Sequence, residues 1–108
     1  MIHEMRLQSL PFMQIREGIK TVELRLFDEK RRRISVGDRI RFTSGDESLE
    51  RRVIALHRHP SFAALLKTPL LAKCGFGECS PEAAAREMRA YYTEEEERML
   101  GVLGIELA

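Results

Sequence analysis

Residues 20–27, KTVELRLF, alternate between polar and apolar side chains with the two-residue period of a β-strand. One face of this strand is apolar and carries Val22, Leu24 and Leu26. Glu23 and Arg25 leave the opposite face one pleat apart, and Lys20 precedes them where its long side chain can reach over the sheet end. Two interpretations remain open for this charged face: the solvated surface of an ordinary strand, which is the more common case, or the floor of a site.

Extended segments occupy most of the remaining first half of the chain. The alternating start, HEMRLQ, predicts a strand. The segment PFMQIREG, which begins with Pro11 and ends with Gly18, predicts a short helix. The stretch SVGDRIRF supplies a turn at Gly37–Asp38 and then a strand. The turn-rich stretch TSGDES predicts a hairpin loop before a long extended segment over 49–59.

Helical signals dominate after residue 60. Ser61 and Ser80 are predicted N-caps, and Thr93 with Glu96 forms a capping-box pattern. The last apolar segment, GVLGIEL, predicts a closing strand. The order is strand, helix, about four strands, helices and strand, which predicts an α+β fold. We expect a small, curled, mixed or antiparallel sheet, with the last strand paired at an edge.

Size and composition predict a single domain over residues 1–108, because 108 residues is a common domain length. The net charge is +1, but residues 1–60 carry +4 and residues 61–108 carry −3, so one face of the protein can meet an anion. With only two cysteines and no apolar run of transmembrane length, we expect a cytoplasmic protein without disulfides or a membrane segment. No cofactor motif is present.

Several other residues are candidates for chemistry. The loop arginines Arg31, Arg32 and Arg33 can contact phosphates, or they can be balanced locally by neighbouring acids. His57, His59, Cys74 and Cys79 are metal ligands by type, but their spacing matches no common zinc pattern, so we predict no metal. Glu78 is a loop candidate for an acid or base, and Tyr91–Tyr92 is a candidate for stacking bases, with one of the two expected in the core.

The pattern G-x-K-x-x-E-x-R, formed by Gly18, Lys20, Glu23 and Arg25 after a short helix, resembles the ASCH domain of the PUA-like superfamily. The resemblance continues through VGDRIRF and through the final stretch YYTEEEERMLGVLGIEL, and so covers nearly the whole chain. It implies a small β-barrel-like fold with flanking helices and a cleft formed by the first motif. It also implies RNA or a modified nucleoside as the ligand, with Lys20, Glu23 and Arg25 in the cleft and Gly18 shaping the turn.

The resemblance also includes one branch of the family, an amidohydrolase that removes the acetyl group from N4-acetylcytidine. That branch has a Lys–Thr–Glu arrangement in which the threonine, three residues after the lysine, is the nucleophile. This sequence has Lys20 but places Glu23 where that threonine would stand, with Thr21 nearby. Ribonuclease activity is also associated with some ASCH proteins. The main expectation is therefore a cleft that binds single-stranded RNA, with Arg31–Arg33 widening the positive field. The alternative is a hydrolase on nucleic-acid substrates, in which Lys20 stabilises negative charge and Glu23 is a general base with a raised pKa.

Overall fold

The structure, a computed structural model, describes residues 1–108. Five strands form one curved, mixed sheet, and four short α-helices flank it, so the α+β prediction is confirmed. The strands are β1 (Ile2–Arg6), β2 (Val22–Leu26), β3 (Arg39–Ser44), β4 (Glu47–His59) and β5 (Val102–Leu107). The helices are α1 (Ser9–Arg16), α2 (Phe62–Leu66), α3 (Pro81–Glu87) and α4 (Glu94–Leu100). No helix combines the length and the apolar character that crossing a membrane requires.

The spatial order of the strands is β1-β3-β4-β5-β2, with β1 and β3 parallel and the other pairs antiparallel. The long strand β4 pairs with β3 through its first half and with β5 through its second half. The register between β4 and β5 shifts between Val53 and Ala55, and a bulge of this kind bends a strand and increases its twist. The bend turns the sheet into a half-barrel.

The closing strand β5 lies inside the sheet and pairs with β4 on one side and with β2 on the other. Both of its faces are buried: Leu103, Ile105 and Leu107 join one apolar cluster, and Val102 joins the other. Gly104 allows Leu65 of α2 to approach closely, because a Cβ at this position would stand 3.1 Å from the Leu65 Cδ1. Because β5 is apolar on both faces, it is stabilised best in the centre of the sheet, where both faces are covered.

The sequence predicted about four strands between the first helix and the later helices. The structure has three, β2, β3 and β4, between α1 and α2.

Two apolar clusters form the core, one on each face of the sheet. The first includes Phe12 and Ile15 of α1 together with residues of β1, β3, β4 and β5. The second lies between β2, β5, α2 and α3 and includes Val22, Leu24 and Leu26. The apolar face predicted for β2 is therefore confirmed.

The predicted helix starts are also confirmed. The Ser61 and Ser80 side chains each accept a hydrogen bond from the backbone of the first helical turn, and Thr93 and Glu96 form the capping box. The helix after Ser80 is shorter than its sequence pattern, because α3 ends at Glu87 and a tighter turn, Met88–Ala90, follows. This turn directs the following residues back toward β2.

The half-barrel is open between its two outer strands, β1 and β2, which pair on one side only. The Met1 carbonyl accepts a hydrogen bond from the Arg39 N–H, and the Leu7 N–H donates one to the Thr43 carbonyl, so the odd-numbered residues along β1 direct their backbone groups toward β3. Glu4 and Arg6 consequently direct their backbone groups away from β3. Their carbonyls accept hydrogen bonds from side chains: Lys30 Nζ donates to Glu4 O at 2.8 Å, and Arg25 Nη2 donates to Arg6 O at 3.2 Å.

Candidate functional site

A cleft of about 370 Å³ lies at the open side of the half-barrel. Four parts of the chain line it: the junction of β1 with α1, the start of β2, the segment after the turn Pro69–Lys73, and the residues that follow α3. The lining residues are Arg6, Leu7, Gln8, Leu10, Pro11, Gln14, Lys20, Glu23, Leu24, Arg25, Cys74, Gly75, Phe76, Glu87, Met88, Tyr91 and Tyr92. These residues are distant in sequence, and only the fold brings them together.

Three charged side chains meet in this cleft. Glu23 is only 3% exposed. Its Oε1 lies 2.7 Å from Lys20 Nζ, and its Oε2 accepts a hydrogen bond from Arg25 Nε at 2.9 Å. Each carboxylate oxygen therefore has its own cationic partner. The face of β2 that carries these residues is not a solvated strand surface.

The ionisation of Glu23 follows from its surroundings. Burial by itself raises the pKa of the Glu23 carboxyl, but the charges and hydrogen bonds of Lys20 and Arg25 outweigh burial. The pKa of Glu23 consequently lies below its ordinary value, and the group is a carboxylate at neutral pH. This contradicts the raised pKa expected for Glu23 as a general base. An ionised carboxylate accepts hydrogen bonds and donates none.

Arg25 also has a structural role, because its guanidinium spans the open side of the half-barrel. One nitrogen bonds Glu23 on its own strand, and another bonds the Arg6 carbonyl on β1. Lys20 precedes β2 and still reaches Glu23, as its side-chain length predicts. The site and the closure of the fold thus share one residue.

Aromatic and apolar side chains line the rest of the cleft. Tyr92 stacks on Phe62 with ring centroids 5.6 Å apart, and burial raises the pKa of its phenol. Tyr91 is 58% exposed, and Leu10 is similarly open to solvent. The prediction that one tyrosine of the pair belongs to the core is therefore confirmed for Tyr92, which leaves the Tyr91 ring available for stacking.

Gly75 forms a tight contact beside Lys20. The Gln14 side chain donates a hydrogen bond to the Gly75 carbonyl at 3.0 Å, and the Gln14 carbonyl accepts from the backbone of Lys20 at 3.1 Å. Gly75 has φ +85°, and a Cβ at this position would stand 2.8 Å from Gln14 Oε1. Gln14 thus holds two walls of the cleft together.

The remaining residues of the predicted site lie outside the cleft lining. Gly18 adopts φ +78° in the turn after α1, a left-handed backbone conformation that favours glycine. Arg31 pairs with Asp28 at 3.0 Å, and the Arg32 guanidinium lies 4.7 Å from the Phe27 ring centroid. Arg33 is exposed, and its Nη2 lies 3.7 Å from Glu29 Oε1. Of the two interpretations of this run, balance by neighbouring acids fits Arg31 and Arg33, which lie beside Asp28 and Glu29.

The candidates for hydrolytic chemistry are also placed elsewhere or held in unreactive form. Thr21 does not line the cleft, and Glu78 is exposed on its loop. Cys74 does line the cleft, but its thiol donates to the Leu70 carbonyl, and burial raises its pKa to about 12. His57 contacts Glu106 at 2.8 Å, in a separate hollow. No three His, Cys, Asp or Glu side chains lie together as a metal site would require.

Sequence reasoning missed five polar lining residues. Arg6, Gln8 and Glu87 are exposed, and Gln14 and Cys74 are more buried. They are spread over β1, α1, the segment after Pro69–Lys73 and α3, and none is part of a recognisable motif. The only local signal was the glycine-rich stretch 75–77, whose backbone freedom allows the chain to pass close to α1.

The sequence matches the ASCH domain family over residues 5–108. The chain belongs to the ASCH family. The crystal structure of the hypothetical protein PH0355 is similar over 99% of this chain and 97% of that one, with 36% identity and a TM-score of 0.90. The solution structure of PF0455 from Pyrococcus furiosus is 38% identical over 99% of this chain and 96% of that one, with a TM-score of 0.79.

A more distant ASCH structure has the same fold. A mutant of ZmASCH from Zymomonas mobilis is 15% identical over 99% of this chain and 67% of that one, with a TM-score of 0.58. No curated protein matches the chain. The half-barrel with its helices is thus the fold expected of an ASCH domain, and the predicted family is confirmed.

Proposed function

We propose that this ASCH protein binds single-stranded RNA and holds one nucleobase in the cleft between β1 and β2. The observation that carries the proposal is the joint presence in one cleft of a buried charged group and an exposed aromatic ring. Lys20, Glu23 and Arg25 can form hydrogen bonds with a base edge. Tyr91 can stack on the face of a base, as aromatic residues do in proteins that bind single strands.

The charges around the cleft suit a short segment of RNA backbone better than a long one. Arg6, Lys20 and Arg25 are the cations of the lining, and Glu23 and Glu87 are its acids, so the cleft carries a small net positive charge. Contact with two or three phosphates gives an expected slope of log K against log salt of about −1.5 to −2. A weak, salt-sensitive complex is therefore expected, in keeping with a net charge of +1.

Binding is favoured over hydrolysis by the state of the reactive groups. The lowered pKa of Glu23 makes it a poor general base, because a base is most effective when its pKa lies near the working pH. The Cys74 thiol, with its pKa raised to about 12, is protonated at neutral pH. The cleft therefore combines recognition groups with a thiol that is not activated.

The test is a fluorescence titration of a labelled single-stranded RNA of eight nucleotides at two salt concentrations. Tyr91→Ala removes the proposed stacking surface and should weaken binding about 5- to 100-fold. Lys20→Ala removes one of the donors proposed to contact the base edge and should weaken binding. Recovered RNA is checked for cleavage, which we do not expect.

Matched controls come from the same chain. Lys67→Ala removes an exposed lysine outside the cleft, and Met99→Ala removes an exposed apolar side chain outside it. Both should bind RNA as the wild type does. Equal binding by the Tyr91 variant and the wild type, or no binding even at low salt, would contradict the proposal.

A further inference from the structure

The floor of the cleft presents hydrogen-bonding groups in a fixed order. Lys20 Nζ has three N–H donors, and Glu23 Oε1 engages only one. Arg25 has five, of which one bonds Glu23 and one bonds Arg6 O. Glu23 lies between these cations; each of its oxygens has one cationic partner, and a carboxylate oxygen can accept two hydrogen bonds. The order across the floor is therefore donor, acceptor, donor.

Nucleobases differ in the order of groups along their pairing edge. Uracil presents acceptor, donor, acceptor through O2, N3–H and O4. Cytosine presents two acceptors followed by a donor, guanine presents an acceptor followed by two donors, and adenine presents a donor and an acceptor. Only the uracil edge complements a floor that reads donor, acceptor, donor.

We propose that the cleft selects uracil, with its N3–H donating to the Glu23 carboxylate and its two carbonyls accepting from Lys20 and Arg25. This inference rests on the proposed function and names the base that the site holds. Cytosine would pair its O2 with one cation, but it would place its unprotonated N3 against the carboxylate and its amino group against the other cation. Guanine would direct its amino group at a cation. Such mismatches are costly in a buried site, because unpaired polar groups lose their hydration.

The ionised state of Glu23 supports this selectivity independently of the order of the groups. The pKa of Glu23 lies below its ordinary value, so at neutral pH the carboxylate cannot donate to an acceptor such as the cytosine N3. The small exposure of Glu23 keeps water from replacing the missing partner. The central position of the floor thus accepts hydrogen bonds and donates none.

The first test compares oligomers of eight uridines, eight cytidines and eight adenosines in the titration described above. We expect the uridine oligomer to bind about tenfold or more tightly than the others. The decisive ligand is the same oligomer carrying N3-methyluridine, which keeps both carbonyls and removes the one donor. It should bind no better than the cytidine oligomer. Uridine 5′-monophosphate is titrated separately, because a free nucleotide and an RNA residue present the same edge.

Each outcome has a distinct meaning. Equal binding of the uridine and N3-methyluridine oligomers overturns the uracil assignment while RNA binding stands. If all oligomers bind equally and the Tyr91→Ala variant binds none of them, RNA binding stands and the uracil assignment is again overturned. No binding of any oligomer overturns the proposed function as well. Tight binding of the monophosphate without binding of any oligomer overturns RNA binding but supports the uracil assignment, with a free nucleotide as the ligand.

A protein variant gives a second readout. Glu23→Gln offers an amide that can donate as well as accept, so the preference for uridine over cytidine should fall to about onefold. If this variant does not fold, the N3-methyluridine comparison on the wild-type protein still decides the question. A uridine preference that is unchanged in a folded Glu23→Gln variant also overturns the assignment.

Discussion

Replacing Glu23 by glutamine is the change that most directly tests the arrangement on the cleft floor. The substitution keeps the shape of the side chain, removes its charge, and turns an NH₂ group toward Lys20 or Arg25. One charge-assisted hydrogen bond is lost, worth about 1.5–3 kcal/mol. Breaking a fully buried ion pair costs about 3–5 kcal/mol.

The expected loss lies between those limits. The Lys20 and Arg25 side chains are 13% and 15% exposed, so water can solvate part of the uncompensated charge. We expect the free energy of unfolding to fall by about 2–4 kcal/mol. For a domain of this size, that lowers the Tm by roughly 10–20 °C. Urea unfolding gives the free energy, and an unchanged m-value would show that the unfolded state is unaffected.

The matched control is Glu29→Gln. The Glu29 side chain is 86% exposed, and its contact with Arg33 is 3.7 Å long, so a change within about 0.5 kcal/mol is expected. Adding Lys20→Met to the Glu23 variant removes a cation that has lost its partner. The double variant should therefore be more stable than the sum of the single changes predicts.

The pH dependence supplies an independent check. Because the pKa of Glu23 is lowered in the folded protein, its extra stability is fully present above the ordinary pKa of about 4.3. It is lost as the pH falls through the folded-state pKa. The difference between wild type and Glu23→Gln should therefore shrink on acidification. A Glu23 variant as stable as the Glu29 control, or a difference that grows in acid, would refute this reasoning.

Two further predictions concern residues around the site and the turn at Asp38. Gly75→Ala should lower the free energy of unfolding by about 1 kcal/mol more than Gly77→Ala does. Both glycines have positive φ, but only a Cβ at position 75 would displace the Gln14 amide. Equal Tm losses in the two variants would contradict this. Asp38 has its pKa lowered to about 2, chiefly by its hydrogen bond with His3, so wild type should lose stability as the pH falls from about 4 to about 2. Asp38→Asn should flatten that loss in urea unfolding, and an unchanged pH profile would argue against the contact.

The parts of the fold that sequence could predict are those that depend on local chemistry. The N-caps at Ser61 and Ser80 need only a side-chain oxygen and a nearby backbone N–H, and both are readable in the sequence. The alternation in β2 was equally local. The central position of β5 was not predicted, because it depends on which strands are available at both sides of an apolar segment.

The candidate site divides in the same way. Lys20, Glu23 and Arg25 lie close together in sequence, so their proximity in space followed from strand geometry and from resemblance to a family. The direction of the Glu23 pKa did not follow, because it is the balance of burial against two charges at known distances. Arg6 and Glu87 reach the cleft only through tertiary packing.

The side-chain hydrogen bonds along β1 have a consequence for how copies of this chain behave toward one another. A strand at the margin of a sheet normally offers unpaired carbonyls to a neighbouring chain and so invites aggregation. In β1, Lys30 and Arg25 already occupy the outward carbonyls of Glu4 and Arg6. A second molecule would have to displace two cationic side chains to add a strand there. The guanidinium that faces the cleft thus also blocks strand addition at this edge of the sheet.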